Sequence, residues 1–182
     1  MKIAISSGHG KLVRGASGYL DEVDEARRVV EALADNLEAV GVDVVTFHDD
    51  TSTTQSENLE TIVDFHNSET RDLDVSVHFN AYQTTNNPMG CEVLYVTQDE
   101  LAHEVSRAIA NSGGFINRGA KKRTDLYFLN NTDAPAILLE VCFVDSKEDA
   151  DLYRKNFEKI CFMVASVARP TDPEFVSPTT GE

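Results

Sequence analysis

Hydrophobic positions along the chain switch between a period of two and a period near 3.6. Within residues 74–81, DVSVHFNA, Val75 and Val77 alternate with Ser76 and His78, as in a strand with one packed face. Residues 2–6 and 136–139 read as strands too, the first running into Ser7-Gly8-His9-Gly10 and the second into Glu140. Over residues 22–40 the period lengthens: Val23, Ala26, Val29, Val30, Leu33, Leu37 and Val40 recur every three or four positions, predicting a helix closed by Gly41. Residues 42–47 supply another strand, so the chain opens with a β-α-β unit that favours parallel pairing.

The pattern continues with a helix over residues 57–66 after the polar loop 49–56, then the His78 strand, and a fourth strand over 92–96 after the loop 83–90. Thr97-Gln98-Asp99-Glu100 has the form of a capping box opening a helix that runs to about Ala110, with residues 111–114 breaking it. Residues 126–129 and 136–141 predict strands, and 146–153 and 157–168 predict two closing helices. Residues 117–123 stay outside this scheme, as a basic, glycine-containing stretch in an acidic chain. Alternating strands and helices predict a single α/β domain over residues 1–168. Residues 169–182, with three prolines and no apolar periodicity, predict a linker or disordered tail.

Composition narrows the classes. With 182 residues, 41% of them hydrophobic, one ordinary core is expected. No apolar run approaches the roughly 18 residues of a membrane span. The opening MKIAISSGHG turns polar too soon for a signal peptide, so synthesis as a soluble cytoplasmic chain is expected. Cys91, Cys142 and Cys161 show no CxxC spacing and lie in apolar runs, which predicts buried free thiols. A net charge of −15 argues against nucleic acid, whose phosphates are neutralised by Lys and Arg.

Chemistry concentrates at the strand ends. His9 and His78 come from strand ends, where open α/β sheets place their sites. Catalytic zinc takes three nitrogen or oxygen ligands and leaves a position open. A glycine-rich loop joins His9 to Glu22, thirteen residues on, which makes Glu22 the candidate third ligand; Glu25 is an alternative, and Glu22 is equally suited to favouring the helix N-terminus. Glu140 ends an apolar strand, an odd place for a carboxylate without a partner. Next to a metal it suits general acid–base work; otherwise a partner such as Arg123 would neutralise it. His48, His66 and His103 read as structural or surface residues, and Cys142, between apolar neighbours, as an inert thiol.

Taken in order, SSGHG, the EVDEAR helix start, SVHFNA, NRGAK and LLEVCFVD resemble the zinc-dependent N-acetylmuramoyl-L-alanine amidases of the type 3 class, found in bacterial autolysins and phage endolysins. The likeness spans nearly all of residues 1–168 and is strongest to endolysin catalytic domains, although the family opening is often D-P-G-H-G where Ser6 and Ser7 stand here. The resemblance implies a mixed, mostly parallel twisted sheet of about six strands flanked by helices. It implies one Zn2+ held by His9, Glu22 and His78, Glu140 as the catalytic carboxylate, and cleavage of the amide between the lactyl group of N-acetylmuramic acid and L-alanine in peptidoglycan. Asn80 becomes a candidate for orienting substrate, and Lys121, Lys122 and Arg123 for meeting stem-peptide carboxylates. A cell-wall-binding domain is expected beyond the linker, and release to the wall through a phage holin or lysis. The alternatives are a zinc peptidase acting on stem peptides, a wall-binding domain without turnover, and a structural zinc protein; the lack of partnered cysteines argues against the last.

Overall fold

The computed structural model describes residues 1–168; the linker expected over 169–182 lies outside the described residues. In chain order the elements are β1 (Lys2–Ser7), α1 (Glu22–Glu38), β2 (Asp43–Phe47), α2 (Gln55–Ser68), β3 (Leu73–Asn80), β4 (Cys91–Tyr95), α3 (Asp99–Gly113), β5 (Asn117–Lys122), α4 (Tyr127–Asn131), β6 (Ala136–Phe143) and α5 (Lys147–Ala168). The six strands form one sheet in the order β2-β1-β3-β6-β4-β5. β2, β1, β3 and β6 are mutually parallel, β4 is antiparallel to β6, and β5 is parallel to β4. The carboxyl ends of β1, β3 and β6 therefore share an edge with the amino ends of β4 and β5.

Two apolar layers cover the sheet. On one face Ile3, Ile5, Val75, Val77, Val93, Ile137 and Leu139 pack with residues of α1, α3 and α5. On the other, Leu94, Ala136 and Leu138 meet Ile62 and Val63 of α2 and Phe128 and Leu129 of α4. This second cover is short, and the strands beneath it turn polar towards the shared edge. His78, Glu140 and Glu92 follow one another on β3, β6 and β4 in direct register.

The structure departs from the sequence pattern in four places. Residues 127–129 belong to α4, with Leu126 as its N-cap, rather than to a strand; a short apolar run carries no period, and Asn130 and Asn131 donate from their side-chain amides to the carbonyls of Leu126 and Tyr127. The sixth strand is instead the basic stretch Asn117–Lys122, which among the described residues pairs only with β4, at the sheet edge, where charged side chains are tolerated. The capping box expected at Thr97 does not form: α3 begins at Asp99 with no side-chain cap on it. One forms at Thr54, whose hydroxyl accepts from Glu57 N while Glu57 accepts from Thr54 N, starting α2 two residues earlier than its apolar period. Finally, residues 147–168 are one helix, because the polar Arg154 and Lys155 face solvent and Asn156 donates to the Gly113 carbonyl, while Tyr153, Ile160, Cys161 and Val164 keep facing the core.

Candidate metal centre and catalytic row

Three side chains converge at the carboxyl ends of β1 and β3: His9 follows β1, Glu22 opens α1 and His78 lies near the end of β3. One ligand atom from each of His9, Glu22 and His78 lies within 4.8 Å of the others. Glu22 Oε1 is 3.7 Å from His9 Nε2 and 3.2 Å from His78 Nδ1, and the two imidazoles meet edge to face at 5.1 Å. Backbone fixes the carboxylate: Phe79 N donates to Oε1 at 3.0 Å and Ala16 N to Oε2 at 2.7 Å. α1 brings Glu22 there as its first residue, capped by Asp21, whose side chain accepts from Asp24 N. Glu25, the alternative ligand, points elsewhere and is held by Arg28 at 2.6 Å and the Tyr153 hydroxyl at 2.9 Å.

Glycines make this convergence possible by leaving room. A Cβ on Gly8 would lie 1.8 Å from His78 Nε2, and one on Gly15 would lie 2.1 Å from Glu22 Oε2 and 2.6 Å from His9 Cδ2. The glycine-rich loop is a close-approach surface around the three candidate ligand side chains. His9 is further held through its carbonyl, which accepts from Ser7 Oγ at 3.2 Å; Ser7 Oγ in turn meets His48 Nδ1 at 2.9 Å, and His48 Nε2 meets Glu31 at 3.0 Å. No local signal in the sequence joins these three residues, since 41 positions separate Ser7 from His48.

Electrostatics separates the roles. Burial and the neighbouring His78 lower the His9 pKa, so its imidazole is inclined to be neutral. Burial works against ionised Glu22, yet the hydrogen bond and charge of His78 hold its pKa below the ordinary value. Burial also disfavours a charged His78, but Glu22 and Glu140 outweigh it and raise its pKa. Glu140 behaves oppositely to Glu22. Burial raises its pKa to about 7, with Glu22 and Glu92 adding to the rise and His78 and Arg123 opposing it. Its Oε2 is buried without a hydrogen-bond partner among the described residues, unlike nearly every buried polar atom in a folded protein. Arg123 does not neutralise it, being paired through two 2.8 Å bonds with Asp125.

The donor set fits zinc: two imidazoles and one ionised carboxylate at mutual distances one ion can bridge, with space kept clear by glycine. Asn80 spends its side chain locally, donating to Glu92 Oε1 at 3.3 Å and accepting from Ala81 N at 2.8 Å. His66 is fully buried in a separate network, with Asp74 Oδ1 at 2.7 Å and Ser6 Oγ at 2.9 Å, and Arg71 completes the charge balance on Asp74. This Ser–His–Asp row is closed to solvent and ties α2 to β1 and β3. His103 is an exposed helix residue near Asp99, and the Cys142 thiol is buried with its pKa pushed well up, which leaves it unreactive.

A sequence profile described as N-acetylmuramoyl-L-alanine amidase matches residues 3–165. A protein of Clostridium perfringens described as an uncharacterized 38.4 kDa protein is 36% identical over 173 residues, covering 91% of this chain and 50% of its own length. The chain thus spans about half the length of that relative. Among solved structures, the catalytic domain of the CD27L endolysin, described as targeting Clostridia Difficile, superposes with a TM-score of 0.82 at 30% identity, covering 94% of this chain and 99% of that one. The N-acetylmuramoyl-L-alanine amidase AmiC2 of Nostoc punctiforme gives 0.80 at 26% identity, covering 92% and 94%.

Proposed function

This chain belongs to the N-acetylmuramoyl-L-alanine amidase family, and on that premise we propose that it hydrolyses the amide between the lactyl group of N-acetylmuramic acid and L-alanine in peptidoglycan. The observation that carries the reading is Glu140: a half-buried carboxyl whose Oε2 is fully buried and unpartnered among the described residues, directly opposite His78 on the neighbouring strand.

His9, Glu22 and His78 are the residues that would hold one zinc ion. When bound there, zinc supplies Lewis acidity, polarising a carbonyl and making water acidic near neutral pH. Glu22 keeps its carboxylate ionised and aimed by the Phe79 and Ala16 amides, and the Ser7–His48–Glu31 chain steadies the backbone of His9. Glu140 accepts a proton from the attacking water as its oxygen bonds to the amide carbon, then passes that proton to the alanine nitrogen as the C–N bond breaks. The buried Oε2 of Glu140, free of any hydrogen-bond partner among the described residues, is the atom available to take and return that proton. Asn80 acts indirectly, by linking the end of β3 to Glu92, and Arg123 lies at the margin of the site with its charge matched by Asp125.

The likeness to an endolysin catalytic domain supports a lytic role at the cell wall. A chain of charge −15 gains no electrostatic hold on an anionic wall, which favours anchoring by a separate wall-binding domain. Mass spectrometry of fragments released from purified peptidoglycan, with and without a chelator, tests the activity. Intact stem peptides with free L-alanine amino termini, absent under chelation, are expected. Cleavage within the peptide would move the protein to the peptidase reading, and no release from walls of several chemotypes would leave only binding.

A further inference from the structure

β5 carries an irregularity that changes which way its cations point. Cys91 pairs with Asn117 and Val93 with Ala120, so β5 holds one more residue than β4 over this interval. Arg118 and Lys121 are three positions apart and on a regular strand would face opposite sides of the sheet. The extra residue restores the parity. Gly119 takes φ +82°, a left-handed backbone that a side chain would strain, and its N–H is held by Asn117 Oδ1 at 2.8 Å. As a result both cations reach one acceptor, Glu92 Oε2: Arg118 through Nε at 2.7 Å and Lys121 through Nζ. Glu92 stands opposite Glu140 in the β4–β6 pairing, which puts the two cations at the end of the His78–Glu140–Glu92 row.

The charge balance there is uneven. Glu92 is buried and supplies one negative charge to two cations whose side chains remain 34% and 41% exposed. Arg118 is also braced over the Phe143 ring, 4.9 Å from its centre, with NH1 3.4 Å from the Met89 carbonyl. Arg123 has its own carboxylate in Asp125, so it does not compete for this role. One uncompensated positive charge, held rigidly in a strongly acidic domain, is therefore offered beside the catalytic row.

We propose that Arg118 and Lys121, clamped together by Glu92, bind a free carboxylate of the peptide that leaves in the reaction. This inference rests on the amidase reading and names a specificity determinant for it. Neighbouring strands lie ~4.8 Å apart, so β5 is about 10 Å from Glu140 across the sheet, and an extended peptide covers that span in about three residues. The peptide then runs across β4 and β5 with an acidic residue near its start over the clamp, and the glycan lies on the opposite side of the metal centre.

The test compares two muropeptide substrates that differ only in having free carboxylates or carboxamides on the second and third peptide residues. Wild-type, Lys121→Met and Arg118→Gln proteins are assayed in the zinc-loaded state. The wild type is expected to favour the free carboxylates by about tenfold or more in kcat/KM. Lys121→Met is expected to lose about tenfold on that substrate, through KM, and much less on the carboxamide, so that the wild-type preference shrinks. Arg118→Gln should shift in the same direction, and added salt should erase the wild-type preference. Equal losses on both substrates would reduce the pair to a structural clamp and overturn the proposal, as would a wild type that cleaves both equally well. A wild type that releases no peptide from either substrate would instead overturn the amidase reading itself, and this inference with it.

Discussion

Replacing Glu140 by glutamine tests the proton role and the cost of the buried carboxylate together. Glutamine has the shape and neutrality of the protonated acid, so Glu140→Gln removes the charge while leaving the packing intact. Burial lifts the carboxyl from its ordinary 4.5 to about 7, a difference of about 3 kcal/mol at about 1.4 kcal/mol per tenfold. The sign follows from proton binding. The folded, metal-free chain holds this proton more tightly than the unfolded chain, so the contribution is fully present below pH 4.5 and is lost as pH rises through about 7. In chelator at pH 8 the variant should therefore exceed the wild type by about 3 kcal/mol, or about 6–12 °C in melting temperature for a domain of this size. Near pH 4 the two should melt together. With zinc loaded the gap should narrow, because a nearby cation favours the carboxylate. Hydrolysis of peptidoglycan by loaded Glu140→Gln should fall by about 10²–10⁴, with zinc content by mass spectrometry unchanged. A variant that hydrolyses at the wild-type rate would falsify the proton role. One no more stable than the wild type at pH 8 in chelator would show that Glu140 carries no buried charge there.

Gly8→Ala sets a Cβ within 2 Å of the His78 imidazole and should weaken zinc retention by about 10–100-fold in a folded protein, read by metal content after dialysis; full retention would mean the ring moves freely. Gly41→Ala, at φ +84° with no atom near its Cβ site, should cost about 1 kcal/mol and leave hydrolysis unchanged. Asp74→Ala strands His66 and Arg71 inside the fold and should destabilise by about 3–5 kcal/mol, with normal activity per folded molecule at low temperature. Burial opposes ionised Asp74, but His66 and Arg71 hold its pKa below 3.8, so its stabilisation is present above that pH and disappears as pH falls through the lower folded value. Asp74→Asn should accordingly flatten the acid limb of a stability–pH curve, and an unaltered limb would assign acid unfolding to other carboxylates.

The elements around the site were legible because each states its burial locally. Val75 and Val77 alternate with polar neighbours, the apolar stripe of α1 recurs from Val23 to Leu37, and both lie in the core where those periods direct them. His9, His78 and Glu140 stood out because each interrupts or ends a run of apolar strand positions, which made them odd enough to notice; β6 in fact continues past Glu140 to Phe143. Local period fails where burial is set by distant partners. The edge strand β5 has one strand neighbour and little need of apolar residues, so Asn117–Lys122 gave no strand signal, while the four apolar residues 126–129 gave a false one. Glu140 lies beside His78 only because β6 inserts between β3 and β4, a choice of sheet order made by long loop closures and the packing of α3 and α5. The tertiary structure alone shows that Gly8 and Gly15 provide space, that Ser7 and His48 steady His9, and that the bulge at Gly119 turns two cations onto one carboxylate. A sequence records which faces are buried; which side chains meet across them depends on register, and register is settled only when the whole sheet assembles.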